Sequence, residues 1–330
     1  MASDTPSMTL TPNMPALILA PMQGMTDAPM RAVLAEKGAF TFAVAEFLRI
    51  SLDVPSPKHF LRHVPELRQP GSGRTERPLP VQVQLLGGHA GRMAAGASAA
   101  CEAGARAIDI NFGCPAPTVN RHDGGATLLK YPKRIREIVA AVREALPPDI
   151  PVSAKLRLGW DSIEDIYENA EMAAEGGAAW VTIHGRTRVA GYRPPAYWNP
   201  IGQVRERLSI PVVANGDLWS LEDFRCCREE TGCIHFMLGR GALANPRLPY
   251  QVAAELGLVP PKPETETPFD WAAQIRRLAA FMEVSDVPAP RFVLGRLKQW
   301  LYLAETHGDF TAFDLVKRTQ TVEELFAILT

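Results

Sequence analysis

The chain has 330 residues, 46% of them hydrophobic, and a formal net charge of −1. That length suits a barrel of about 250 residues with a small second domain. Near-neutrality excludes a global positive field for gripping nucleic acid, so any RNA partner must meet a local patch.

Residues 1–14 lack the basic and apolar stretches of a signal peptide and read as a disordered polar leader. No apolar run approaches the ~18 residues that span a bilayer, so no membrane partner is expected. Five cysteines, Cys101, Cys114, Cys226, Cys227 and Cys233, show no CxxC pair and no zinc spacing. A reduced, cytoplasmic setting without a metal is the simple reading. A monomer is expected, though the sequence does not fix the oligomeric state.

Eight apolar runs read as strands: Leu17–Ala20, Phe42–Ala45, Val81–Leu85, Ala107–Ile110, Val152–Leu156, Trp180–Ile183, Val212–Ala214 and His235–Leu238. Most are rich in Val, Ile and Leu without alternation, as parallel strands buried on both faces are. Helical stretches such as Gly91–Ala103, Lys133–Ala145 and Ile163–Glu175 separate them. Eight strand–helix units predict an α/β fold, a closed (β/α)8 TIM barrel over residues 15–258, with an open doubly wound sheet as the alternative. Between strands two and three, Ser51–Pro80 is rich in Pro and Gly and holds Lys58, Arg62, Arg68, Arg74 and Arg77. It reads either as a basic flap at the barrel mouth or as a solvated loop. A proline-rich linker at 259–269 precedes a small all-α region at 270–330, with helices over Trp271–Val284, Arg291–Glu305, Phe313–Lys317 and Val322–Leu329. That region carries seven Lys and Arg against eight Asp and Glu, so charge alone does not mark it as RNA-binding.

Barrels of this kind place their chemistry at the C-terminal ends of the strands. Those ends hold unusual choices: Ala20-Pro-Met-Gln-Gly, Gln84, Asn111-Phe-Gly-Cys-Pro, Lys155 and Arg157, His184-Gly-Arg-Thr, Asn215-Gly-Asp and Gly239-Arg-Gly-Ala. Polar groups converging on one mouth require a ligand that satisfies them. A large, flat, polar-edged anion such as flavin mononucleotide (FMN) fits. Gly216 and Gly239 would let backbone N–H groups approach a phosphate, or are ordinary turns. Lys155 would stabilise negative charge on a reduced flavin, or pairs with a lumen carboxylate such as Asp109. Gln84 would meet the pyrimidine edge of the ring, or is a satisfied lumen amide. Pro21 and Met22 would contact the ring or simply pack. His184 would contact phosphate or ring, or is a structural donor. Cys114, held in a turn between Gly113 and Pro115, is a nucleophile, a general acid or inert filler.

Seven motifs in order carry a resemblance: Ala20-Pro-Met-Gln-Gly-Met-Thr-Asp, Asn111-Phe-Gly-Cys-Pro, Gly124-Gly-Ala-Thr-Leu-Leu, Lys155-Leu-Arg-Leu-Gly-Trp-Asp, His184-Gly-Arg-Thr, Ala214-Asn-Gly-Asp and Gly239-Arg-Gly-Ala. From about residue 17 to the C-terminus the chain resembles the tRNA-dihydrouridine synthases. The resemblance implies a flavin-binding barrel followed by a helical tRNA-binding domain, with NADPH as reductant. It implies hydride transfer to C6 of a D-loop uridine and protonation of C5 by a cysteine. Carried over by position, Cys114 is the proton donor. Pro21, Met22, Gln23, Gln84, Lys155, Asn215, Gly216, Asp217, Gly239 and Arg240 match FMN-binding positions. Asn111 and Arg186 would hold the flipped uracil, with Arg157 on the same substrate side. His184-Gly-Arg-Thr-Arg-Val-Ala-Gly-Tyr-Arg and Arg296-Leu-Lys-Gln-Trp-Leu look most like the bacterial C-type, which acts on position 16. There Arg49, Arg296 and Lys298 match tRNA-contact positions. Arg186, Arg188, Arg193 and Arg205 form a candidate phosphate-facing strip. Two other readings stay open: a dihydroorotate-dehydrogenase-like barrel acting on a small molecule, and a tRNA-binding module without catalysis.

Overall fold

The computed structural model describes residues 8–36, 38–51, 53–68, 79–261, 269–284 and 290–329. Eight parallel strands form the barrel: Ala16–Leu19 (β1), Phe42–Val44 (β2), Val81–Leu86 (β3), Ile108–Asn111 (β4), Val152–Arg157 (β5), Trp180–His184 (β6), Val212–Asn215 (β7) and His235–Leu238 (β8). The sheet closes because β2 pairs both with β1, Ile18 opposite Phe42, and with β3, Ala43 opposite Val81. On its other side β1 pairs with β8, Leu17 opposite Phe236. The expected strands are all present, and the open-sheet alternative is excluded by this closure. A two-residue extension, Leu48–Arg49, runs beside Leu85 and Leu86 and was not expected.

Alternation within each strand divides the core. In β1, Leu17 and Leu19 join the layer between strands and helices, while Ala16 and Ile18 enter the lumen. Helices wrap the barrel through matching stripes. In Pro132–Glu144, Ile135, Ile138, Val139 and Val142 recur at helical spacing and are buried. Local signals set helix starts: Asp27 accepts from Met30 N, and Ser220 with Asp223 forms a capping box.

Two expectations at the barrel surface are corrected. Met8 and Leu10, inside the expected leader, are buried under the barrel with Ile18, Phe42 and Trp180. Their apolar side chains close the lumen floor, which a polar reading of the segment overlooked. The insertion after β2 is neither a free flap nor a solvated loop where it is described. Phe60 and Val64 are fully buried, and Glu66 makes a bidentate pair with buried Arg31 at 2.8 and 2.9 Å. Arg74 and Arg77 lie outside the described residues.

The C-terminal helices are Trp271–Val284, Pro290–His307, Phe313–Val316 and Val322–Ile328. The first packs on Ala28–Ala35 and the second on Arg240–Ala244. Trp271 meets Trp300 and Phe310 edge-on, both at 5.8 Å between centroids. Trp300 Nε1 donates to Leu243 O at 2.8 Å. Among the described residues no helix is long and apolar enough to cross a membrane.

Candidate functional site

The C-terminal ends of the strands surround a cavity of about 630 Å³. Pro21, Met22, Gln23, Gln84, Asn111, Cys114, Lys155, Arg157, His184, Asn215, Gly216, Asp217, Gly239 and Arg240 all line it. Fourteen residues from seven strand ends thus meet in one place, as barrel geometry requires of a site.

One wall is electropositive. Lys155 Nζ donates to Asn215 Oδ1 at 3.0 Å, and Asn215 Nδ2 in turn donates to Met237 O at 2.8 Å. The alternative of a Lys155–Asp109 hydrogen bond is not realised. Asp109 instead accepts from Gln84 Nε2 at 2.6 Å and Ser153 Oγ at 2.5 Å. Burial pushes the Lys155 ammonium down and the Asp109 carboxyl up, and each opposes the other's shift by charge. His184 is held well below the usual imidazole range by burial and by Arg157, Lys155, Arg186 and Arg240. It is therefore neutral at pH 7, and its buried Nδ1 has no hydrogen-bond partner among the described residues.

The β7 and β8 loops form a backbone cradle beside this wall. Gly216 has φ +119°, and a Cβ there would come within 3.2 Å of Gly185 N. Gly241 passes so close to Leu218 that a Cβ would lie 2.0 Å from the Leu218 carbonyl oxygen. Asp217, itself at φ 50°, sits 3.6 Å from Arg240 and is ion-paired with Arg186. Arg240 lies over Tyr192 and Trp219, at 4.9 and 4.8 Å from the ring centroids.

Cys114 is half-buried at the cavity, its turn fixed by Asn111. Asn111 Oδ1 accepts from Gly113 N at 3.0 Å and Cys114 N at 2.8 Å. Burial pushes the thiol up, against smaller downward effects of a backbone hydrogen bond and of Arg157. The sulfur therefore keeps its proton at neutral pH, which suits an acid and not a nucleophile.

Several expected roles change once partners are visible. Gln84 is anchored in the lumen, donating to Asp109 and accepting at Oε1 from Asn111 Nδ2 at 2.8 Å, and its Nε2 keeps one N–H on the cavity wall. Asn111 supports the thiol turn and has one N–H left for a ligand. Arg157 braces three loops through Gly113 O, Thr187 O and Gly191 O at 2.7–3.0 Å. Arg186, expected on the uracil, is 1% exposed, lies behind the cavity and holds Asp217 and Arg193 O. Its expected strip breaks up accordingly, because Arg205 donates to Thr231 O on the barrel's flank. Arg296, expected on tRNA, is a buried tether from the helical end to Met25 O at 2.9 Å and Asp27 at 3.2 Å. Lys298 is partly buried and caps carbonyls of Lys317 and Thr319 at 2.9 and 2.5 Å. Arg49 is exposed and has no partner among the described residues.

Glu46, Phe47, Tyr192 and Trp219 also line the cavity and were missed. Glu46 lies just past β2, and the same survey of strand ends that found the others would have found it. Burial pushes its carboxyl up, while Met25 N donates to it at 3.1 Å. Among the described residues no cluster of His, Cys, Asp and Glu could hold a metal ion.

Residues 18–286 match the family described as dihydrouridine synthase (Dus). The chain belongs to the dihydrouridine synthase family. A Pseudomonas syringae pv. tomato protein named tRNA-dihydrouridine(16) synthase is 42% identical over 95% of this chain and 98% of its own length. Proteins of the same name from Neisseria meningitidis serogroup A and Haemophilus influenzae are 42% and 40% identical, over 95% and 94% of this chain and 93% and 97% of their own lengths.

Proposed function

We propose that this chain reduces the C5=C6 bond of uridine 16 in the tRNA D-loop, using FMN and NADPH, with Cys114 as proton donor. The observation that carries the reading is the convergence of a neutral thiol, a buried ammonium and a glycine cradle on one cavity.

The residues present fit FMN. The cradle of Gly216 and Gly239 beside Arg240 suits its phosphate, and the unpartnered His184 Nδ1 offers a further polar contact. Lys155 has two N–H bonds beyond Asn215 for the electron-rich edge of the ring. Ala20, Met22 and Met237 supply an apolar wall. Held there, FMN would supply the hydride chemistry for C6 of the uracil, with NADPH as its reductant.

The chain's own residues do the rest. The uridine must leave its stack to enter the cavity, at a cost of a few kcal/mol that contacts elsewhere on tRNA offset. Tyr192, exposed at the rim over Arg157, offers the base an aromatic face. As hydride adds at C6 and the C5=C6 π electrons shift to C5 and the C4 oxygen, the Cys114 thiol gives its proton to C5. Solvent then restores that proton. In this reading residues 15–258 do the chemistry and residues 270–330 bind tRNA, with Arg49 at the rim as a phosphate contact.

The test maps dihydrouridine in tRNA from cells with and without this protein, and repeats it with purified protein, tRNA and NADPH. Loss of dihydrouridine at position 16 alone is expected. Unchanged tRNA in the deletion strain, with a yellow protein that reduces a small enone or pyrimidine, overturns the proposal.

A further inference from the structure

A chain of hydrogen bonds runs from the middle of the barrel lumen to the thiol. Cys114 N and Gly113 N donate to Asn111 Oδ1 at 2.8 and 3.0 Å. Asn111 Nδ2 donates to Gln84 Oε1 at 2.8 Å, and Gln84 Nε2 donates to Asp109 Oδ2 at 2.6 Å. Asp109 is 2% exposed and Gln84 fully buried, so these groups are shielded from bulk solvent and find their partners in one another. The other carboxylate oxygen of Asp109 accepts from Ser153 Oγ, which accepts from Gln82 Nε2 at 2.9 Å.

The direction of this chain needs a cause. The two ends of a primary amide have nearly the same shape, so packing does not decide whether Gln84 turns its oxygen or its nitrogen toward Asn111. The termini decide. At one end two backbone N–H groups can only donate. At the other an ionised carboxylate can only accept. Between them each amide has one orientation that satisfies every group. Burial pushes the Asp109 carboxyl up to about 6, opposed by the hydrogen bonds from Ser153 and Gln84 and by the Lys155 ammonium, so at pH 7 the ionised form still prevails. We propose that Asp109 is a positioning residue: it fixes the orientation of Gln84 and Asn111, and through them the turn that presents the Cys114 thiol to the cavity.

This rests on Cys114 being the acid of the proposed reaction, but the orientation itself is testable on the protein as purified, without tRNA. Asp109→Asn allows a nitrogen to face Gln84 and so permits the reversed chain, which sets N–H against N–H at the Cys114 turn. Asn111→Asp keeps the acceptor for that turn but leaves Gln84 Oε1 facing a carboxylate. Each alone frustrates one link. Together they restore a fully satisfied chain running the other way. The amide introduced at position 109 then donates to Gln84, and Gln84 donates to the carboxylate introduced at position 111. That carboxylate still accepts from the two backbone N–H groups of the turn.

The readout is the rate at which iodoacetamide alkylates Cys114 at fixed pH, followed by mass spectrometry of the peptide that carries it. Flavin content and thermal midpoint are recorded beside it. Each single variant should change the rate by roughly threefold or more, and the double variant should return it to within about twofold of wild type. A double variant that also melts above either single variant supports the same conclusion. Ser153→Ala, which removes a partner of Asp109 outside the chain, should leave the Cys114 rate near wild type. Wild-type rates in both single variants overturn the proposal, as does a double variant whose effect is the product of the two. An equal change in Ser153→Ala would mean that general loosening of the lumen is the cause, and would overturn it too. Should none of the Asp109 and Asn111 variants fold, Gln84→Met removes both links at similar volume, and an unchanged Cys114 rate there is decisive against it. Failure of the uridine-reductase reading would appear elsewhere, in tRNA maps, with these rates unaffected.

Discussion

The two sides of the barrel lumen are built from opposite materials. On β3 to β6 the inward positions are Gln82, Gln84, Asp109, Asn111, Ser153, Lys155, Arg157, Thr182 and His184. On β8, β1 and β2 they are Met237, Ala16, Ile18, Phe42 and Val44, packed as one apolar cluster that reaches Trp180 at the start of β6, with the buried His235 as a polar exception near the floor. A barrel filled for stability alone has no need of the first set, because each buried polar group must find a partner. The asymmetry suits a planar ligand with one polar edge and one greasy face. It also divides labour: one side sets chemistry and the other holds the cylinder together.

That division can be broken one side at a time. Cys114→Ala should cut uridine reduction by about 10²- to 10⁴-fold while visible absorbance shows flavin retained. Bleaching of the protein would place the cysteine in cofactor binding instead. On the apolar side, Phe42→Ala should cost about 3–5 kcal/mol of stability, read as a fall in the thermal midpoint, with little change in turnover per folded, flavin-bearing molecule. Lys155→Met preserves length and removes the ammonium, so flavin should bind roughly 10-fold more weakly by fluorescence titration. An unaltered affinity would break the pairing of this lysine with the ligand's polar edge. Arg49→Ala touches neither side. It should raise the KM for tRNA a few-fold and lower the salt slope of binding by about one, without touching flavin.

The smallest effect is a displacement on the pH axis. Burial favours the neutral Cys114 thiol, so its folded-state pKa lies above the ordinary one. Alkylation of Cys114 should therefore rise at a higher pH than that of a free thiol such as N-acetylcysteine. A rise at lower pH would mean a stabilised thiolate and would favour the nucleophile.

Most of the barrel was legible because its strands are short apolar runs and its helices carry clear stripes. The rim was legible in so far as its residues sit on strands, where period-2 alternation tells inside from outside. Partners across the lumen were not. Whether Lys155 meets Asp109 on the adjacent β4 or Asn215 on β7, one strand beyond its other neighbour, depends on the stagger around the barrel, which only the three-dimensional register gives. Tyr192 and Trp219 lie on loops that fold back over the mouth, where no periodicity applies. Arg186 was put on the uracil by the resemblance alone, which carries over a position and not the partner, here Asp217, that holds the side chain beneath the rim. Arg296 could have been read correctly. It shares the buried helical stripe with Val293, Leu297 and Trp300, and that spacing marks a side chain aimed at the barrel.

The seam made by Arg296 and Trp300 has a consequence for anyone exchanging parts between relatives. The guanidinium grips Met25 and Asp27, in the loop that follows β1, and the indole grips Leu243, just past the glycine cradle. Grafting the C-terminal helices of another enzyme onto this barrel would leave those two carbonyls and the Asp27 carboxylate facing foreign side chains. A chimera meant to redirect the choice of uridine must therefore transplant its docking points on the rim together with the helices.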